Sequence, residues 1–192
     1  ALGVLESNGA IVESVMPDFD MDRLWHSWVT LRHFSHAGRH AMLEDSSIRR
    51  QLKPEMIFEI EGSVNLSAAE INVASVSRAA WYTTMHELLE RFDVLALPSA
   101  QVFPFSADVH WPKEISGRAM DTYHRWMEVV IGASLAGVPA LNVPVGFDRR
   151  GRPMGMQLIG PMGADKAVLE LGMSYELVTE HLEREPPLRE SL

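Results

Sequence analysis

The pattern of apolar and polar positions divides the chain into helices and a few short strands. Residues 1–8 read as a helix closed by Gly9, a residue suited to helix termination. It is barely two turns long and has no capping residue, and so short a helix is marginal alone. Residues 10–15 carry Ile11, Val12 and Val15, which predicts a short strand. Asp20 or Asp22 is placed to cap a helix reaching about Ala41, in which Leu24, Trp28 and Leu31 recur at helical spacing. A second short helix is expected over 54–61. Ser67 and Glu70 form a capping box, in which hydroxyl and carboxylate each satisfy a free backbone N–H. After it, Ile71, Ala74, Arg78, Tyr82, Met85 and Leu89 predict one face of a helix ending near Phe92.

Residues 93–97 are a short apolar run ended by Pro98, the pattern of a buried strand. Residues 98–118 contain Pro98, Pro104 and Pro112 and little periodicity, so an ordered loop is expected. A helix follows, with Met120, Tyr123, Met127, Val130, Ile131 and Ser134 on one side, stopped by Gly137 and Pro139. Residues 140–147 read as a strand in which Pro144 marks an edge, a bulge or an end. A polar turn over 148–152 and a returning strand over 154–159 complete a hairpin. The last helix, about 164–183, shows Val168, Leu171, Tyr175, Val178 and Leu182, and a charged, proline-containing tail follows. The order is α/β, with a mixed β-sheet of about four visible strands flanked by helices, read as one segment over residues 1–192. Several strands read as buried on both faces, and the chain opens abruptly. The expectation is a sheet completed by something else, in a chain that begins part-way through a larger structure.

Composition narrows the function classes. At 46% hydrophobic and 22% charged residues the chain is globular in character. Its net charge of −9 argues against a nucleic-acid partner, which needs clustered Lys and Arg. The absence of cysteine excludes a disulfide scaffold and thiolate chemistry. No apolar run approaches the roughly 20 residues that cross a bilayer, and no export signal is visible. A soluble, cytoplasmic protein with no membrane partner is expected.

Most local motifs carry no chemistry. His33, His36 and His40 are spaced to share a helical face, which suits either a divalent metal or an ordinary polar surface. Asp18, Asp20 and Asp22 alternate like the start of a calcium loop, but Arg23 and Val29 stand where Gly and Glu are needed. No G-x-S-x-G elbow and no phosphate loop occurs. A Ser-His-Asp site is recognised by geometry, so composition neither places nor removes one. Trp126, Met127 and Ile131 are apolar neighbours on one predicted helix, read either as core packing or as the wall of a substrate pocket.

The segment 137–161 is the most informative. Gly137, Pro139, Pro144 and Gly146 fall in a G-x-P-A-x-x-x-P-x-G run, and Gly151, Pro153, Gly155, Gln157 and Gly160 in a returning G-x-P-x-G-x-Q-x-x-G. This resembles the C-terminal signature of the amidase-signature family. Three more segments resemble the family in order and spacing: residues 1–15, Arg78 followed by 92–98, and 164–176 with its Ser174-Tyr175-Glu176. The resemblance implies an incomplete amidase-signature fold. It also implies a hydrolase that cleaves a carboxamide to a carboxylic acid and ammonia or an amine. Members use a Ser–cis-Ser–Lys triad and a Gly/Ser-rich oxyanion loop. Those motifs precede the part resembled here. Lys53, Lys113 and Lys166 are the only lysines and none stands in a matching context. No catalytic residue is therefore assigned, no cofactor or metal is expected, and the chain alone is expected to be inactive. In glutamine-using relatives an acidic residue holds the substrate at the position corresponding to Met127. Glu128 is adjacent but about 100° around a helix. The resemblance thus implies a small, less polar amide as substrate. The rival expectation is a non-catalytic association module derived from an amidase. Apolar surface left open is expected to make the chain a homo-oligomer.

Overall fold

The computed structural model describes residues 1–179 and 181–183. The charged tail predicted after 183 lies outside them, as does the side chain of Leu182. The helices are α1 (Leu2–Ser7), α2 (Met21–Ser35), α3 (Ala41–Glu44), α4 (Ser46–Arg49), α5 (Pro54–Ser63), α6 (Ala68–Arg91), α7 (Ile131–Ala136) and α8 (Asp165–Thr179). The strands are β1 (Leu95–Pro98), β2 (Glu114–Ile115), β3 (Arg118–Ala119), β4 (Ala140–Phe147) and β5 (Pro153–Ile159). The fold is mixed α/β and divides into two compact units. One takes residues 1–16, 87–133 and the chain from 137 onward; the other takes 17–86 and 134–136.

The first unit is built on a three-stranded antiparallel sheet in the order β1-β5-β4. Alternation along β4 and β5 sends Val143, Met156 and Leu158 to one face, where they pack with Val168 and Tyr175 of α8 and Leu5 of α1. Gly172 lets α8 come close: a Cβ there would run into Leu141. The ladder shifts register between Pro144 and Gly146, so that of the edge, bulge or end that Pro144 suggests the structure shows a bulge, on a strand that is also an edge of the sheet. Gly137, with φ of 71°, ends α7 in the left-handed conformation predicted for a helix stop.

In the second unit α2 packs against α5. Asp20 caps α2, accepting the N–H groups of Asp22 and Arg23 at 3.0 Å each. The capping box of α6 is formed: Ser67 N–H donates to Glu70 at 2.8 Å, and Glu70 N–H to Ser67 at 3.2 Å. Leu24, Trp25, Ile60, Trp81 and Met85 are buried in the core, and Phe19 meets Trp81 edge-on at 5.3 Å.

Six expectations are corrected. Residues 10–15 form no strand, and Ile11 is 90% exposed; a short apolar run supplies no ladder partner by itself. The strand over 93–97 forms as β1, but as an edge strand with β5 on one side only, leaving Leu97 exposed rather than buried. The helix from Asp20 ends at Ser35, not near Ala41, and short helical turns follow. The helix expected from about residue 119 starts as a 3-10 helix, Arg125–Val130, and becomes α-helical only at Ile131. The β-branched run Val129, Val130 and Ile131 disfavours an earlier start, and residues 114–119 instead form the small β2–β3 hairpin. Finally, Ala74, Met85 and Leu89 of the face predicted for α6 are buried, but Arg78 and Tyr82 are exposed, and Ser77, Trp81 and Leu88 are buried instead. The two ends of the predicted face hold and its middle shifts by one residue, because Ser77 and Trp81 lie in the core while Arg78 and Tyr82 keep their polar ends in water. On α8, Val178 is likewise 52% exposed, and Gly172 takes its place on the packed face.

Candidate functional site

The pocket-wall candidates lie where the 3-10 helix meets the end of β1. Gln157, on β5, holds this junction together. Its side-chain NH2 donates to the carbonyls of Pro98, at 2.9 Å, and Val129, at 3.1 Å. Gln101 closes the arrangement by accepting the N–H of Val129 at 3.1 Å. A buried neutral amide thus satisfies backbone groups of two segments that have no ladder between them. Gly155 is required beside it, because a Cβ there would run into Ser99 and Asn142 side-chain oxygens. Gly146 and Gly160 lie at the bulge and just after β5, and Gly160 N–H donates to Pro139 at 3.0 Å.

The three pocket-wall candidates differ in burial. Ile131 is 4% exposed and is a packing residue of this unit. Trp126 and Met127 are half-buried. The Trp126 ring meets Phe105 edge-on at 5.4 Å and Tyr123 at 6.3 Å. Its indole N–H is buried without a hydrogen-bond partner among the described residues. Glu128 is drawn away from any ligand role, because Arg118 at 3.2 Å and Arg125 at 3.3 Å both hold its carboxylate. In a 3-10 helix Glu128 lies about 120° from Met127. The aromatic and apolar surface at Met127 therefore carries no free charge from its neighbour.

The hairpin turn is fixed by Asp148. Its carboxylate accepts from the Arg152 guanidinium at 2.8 and 2.6 Å and from the backbone N–H groups of Arg150 and Arg152 at 2.9 Å each. The Arg152 side-chain bond, then its backbone N–H, holds the Asp148 carboxyl below its ordinary range. Arg152 also donates to Pro104 at 3.0 Å, tying the loop to the turn.

The three histidines are engaged separately. His33 Nδ1 lies 3.1 Å from the Glu59 carbonyl, His36 Nδ1 2.9 Å from that of Arg32, and His40 Nε2 2.7 Å from the Ser63 hydroxyl. Among the described residues no group of three or more His, Asp or Glu side chains is arranged to hold a metal. Lys166 pairs with Glu170 at 3.3 Å, and the Lys113 ammonium lies over the Trp111 ring. Three features escape a reading of the sequence: the Gln101–Val129–Gln157 junction, the paired arginines on Glu128, and the buried Glu59 held by Arg32. Only Arg125 and Glu128, three apart, give a local signal.

The Amidase family model matches residues 5–169. The chain belongs to the amidase family. Its fold matches a bacterial aryl acylamidase of the amidase-signature enzymes, with a TM-score of 0.82 at 22% identity, over 95% of this chain and 39% of that one. It also matches 6-aminohexanoate cyclic dimer hydrolase, with a TM-score of 0.73 at 15% identity, over 96% of this chain and 41% of that one. In sequence the amidase chain resembles a glutamyl-tRNA(Gln) amidotransferase component from several bacteria. The Symbiobacterium thermophilum protein is 39% identical over 103 residues, 53% of this chain and 19% of that protein. The Synechococcus sp. (strain CC9311) protein is 36% identical over 94 residues, 49% of this chain and 18% of that protein. The matched part is thus about a fifth of the length of these curated relatives. Among the described residues no helix of this amidase chain is long and apolar enough to cross a membrane.

Proposed function

We propose that this chain is the C-terminal portion of an enzyme that hydrolyses a small, weakly polar carboxamide to a carboxylic acid and ammonia or an amine. In this reading the Ser–cis-Ser–Lys triad is supplied by residues outside the chain, and Trp126 and Met127 form part of the pocket wall. The observation that carries it is the family match over residues 5–169, anchored in the hairpin whose Gln157 positions the 3-10 helix. The substrate class is supported by an uncharged Met127 beside a Glu128 neutralised by two arginines. A pocket built this way favours apolar groups over the ammonium of glutamine. We place the enzyme in the cytoplasm, in keeping with a cysteine-free chain.

The test compares acetanilide and glutamine as substrates of the chain joined to the residues encoded ahead of Ala1. Acetanilide turnover well above glutamine turnover supports the reading. Preference for glutamine contradicts the substrate class. A start codon directly before Ala1, with no Lys and no Gly/Ser-rich stretch upstream, favours the association module instead.

The same reading makes the isolated chain a homo-oligomer. Leu169, Met173 and Leu177 stand on the outer side of α8 at 58%, 63% and 70% exposure, and Met16 at 81%. Apolar surface of this kind drives association. Light scattering is expected to give at least twice the monomer mass; a monodisperse monomer contradicts it.

A further inference from the structure

We infer that the cleft between α6 and the last turn of α7 is a carboxylate-binding site centred on Arg78. The cleft measures about 450 Å³ and is lined by Arg78, Tyr82, Ser75, Thr83, Leu135 and Ala136. Among the described residues no acidic side chain lines it. Arg78 Nε donates to the Leu135 carbonyl at 2.8 Å, at the end of α7. That bond uses one of the five guanidinium N–H donors and fixes the plane of the fork. The other donors have no carboxylate partner among the described residues. The contrast with other arginines is informative: Arg32, Arg49, Arg118, Arg125 and Arg152 each hold a carboxylate.

The neighbouring polar groups sort by what they have left to give. Ser75 donates its hydroxyl to the Ile71 carbonyl at 2.8 Å, and Thr83 donates to Ala79 at 3.3 Å. Both protons are used within the helix. Tyr82 stands one turn from Arg78 on the same side of α6 and is 40% exposed. Among the described residues no hydrogen bond competes for its hydroxyl. Arg78 and Tyr82 together present a planar fork and an O–H donor above an apolar floor of Leu135 and Ala136. Such a set takes a carboxylate on a short apolar stem. A free aliphatic acid and a glutamate side chain of a polypeptide lying on α6 share that chemistry.

The experiment follows the Arg78 Nε–H signal by 1H–15N NMR while the 192-residue chain is titrated at constant ionic strength. One arm uses sodium butyrate, the other N-acetylglutamate N-methylamide. A saturable shift in either arm is expected, with butyrate tighter if the source is a free acid and the glutamate amide tighter if it is a side chain. Arg78→Lys keeps the charge and loses the fork, so affinity, read in this variant from the Leu135 and Ala136 backbone amide signals, falls about tenfold. Tyr82→Phe removes one donor and weakens binding a fewfold, which keeps the test open if the Arg78 variant misfolds. Shifts that stay linear with both probes, or that match those at Arg49 and Arg91, overturn the site.

Discussion

The hairpin of β4 and β5 and the helical segment over 17–86 bury their polar groups in opposite ways. The hairpin buries a neutral amide, Gln157, whose NH2 spans two backbone carbonyls. The helical segment buries a carboxylate, Glu59 at 2% exposure, on the Arg32 guanidinium with His33 Nδ1 at 3.6 Å. A neutral amide loses little on leaving water if its hydrogen bonds are made, whereas a buried charge depends on its partner being present. The family signature sits in the first arrangement. The second is a more costly way to join two helices, and it leaves no pattern in the sequence.

The largest expected effect follows from breaking the charged arrangement. Arg32→Ala removes one of the groups that hold the buried Glu59 carboxylate and is expected to cost about 1–3 kcal/mol. Hydrogen exchange should show α2 and α5 opening while the β4–β5 amides stay protected. Equal loss of protection in the hairpin would mean that the two regions do not respond separately. Close behind is Gln157→Leu, which leaves the Pro98 and Val129 carbonyls without this donor at a cost of about 1–3 kcal/mol. Chemical denaturation should register the loss, and the Trp126 indole signal should move with it. An unchanged midpoint would remove Gln157 from its organising role.

The smallest effect concerns the hairpin turn. Because Asp148 is held below its ordinary value of 3.8 by Arg152, it adds stability above that pH. That contribution is lost as pH falls through the lowered folded value. Acid titration should therefore shift the Arg150 and Arg152 amide signals only below about pH 3.8, and Asp148→Asn should abolish the shift. Titration at or above the ordinary value would contradict the role of Arg152.

What is legible in the sequence is local. The Asp20 cap, the Ser67–Glu70 box, the Gly137 stop and the Pro144 bulge each depend on residues a few positions apart, and each forms. Pairing is not local, so the apolar run over residues 10–15 can suggest a strand without acquiring a partner. The middle of the α6 face, at Arg78 and Tyr82, is misread for a related reason. Hydropathy does not mark Ser77 as core, but burial on a long helix is decided by what it packs against. At the candidate site, Trp126 and Met127 are visible as an apolar pair. The Gln101 and Gln157 bonds that position them join residues 28 apart in sequence and need the fold to be seen.

The central claim is that the chain supplies scaffold and pocket wall while the catalytic serines and lysine lie elsewhere. Acetanilide hydrolysis by the purified 192-residue chain tests it most directly. No release of aniline above buffer is expected, with release appearing once the residues encoded ahead of Ala1 are joined to it. Turnover by the chain alone, abolished by substituting one of its own serines, would contradict the account.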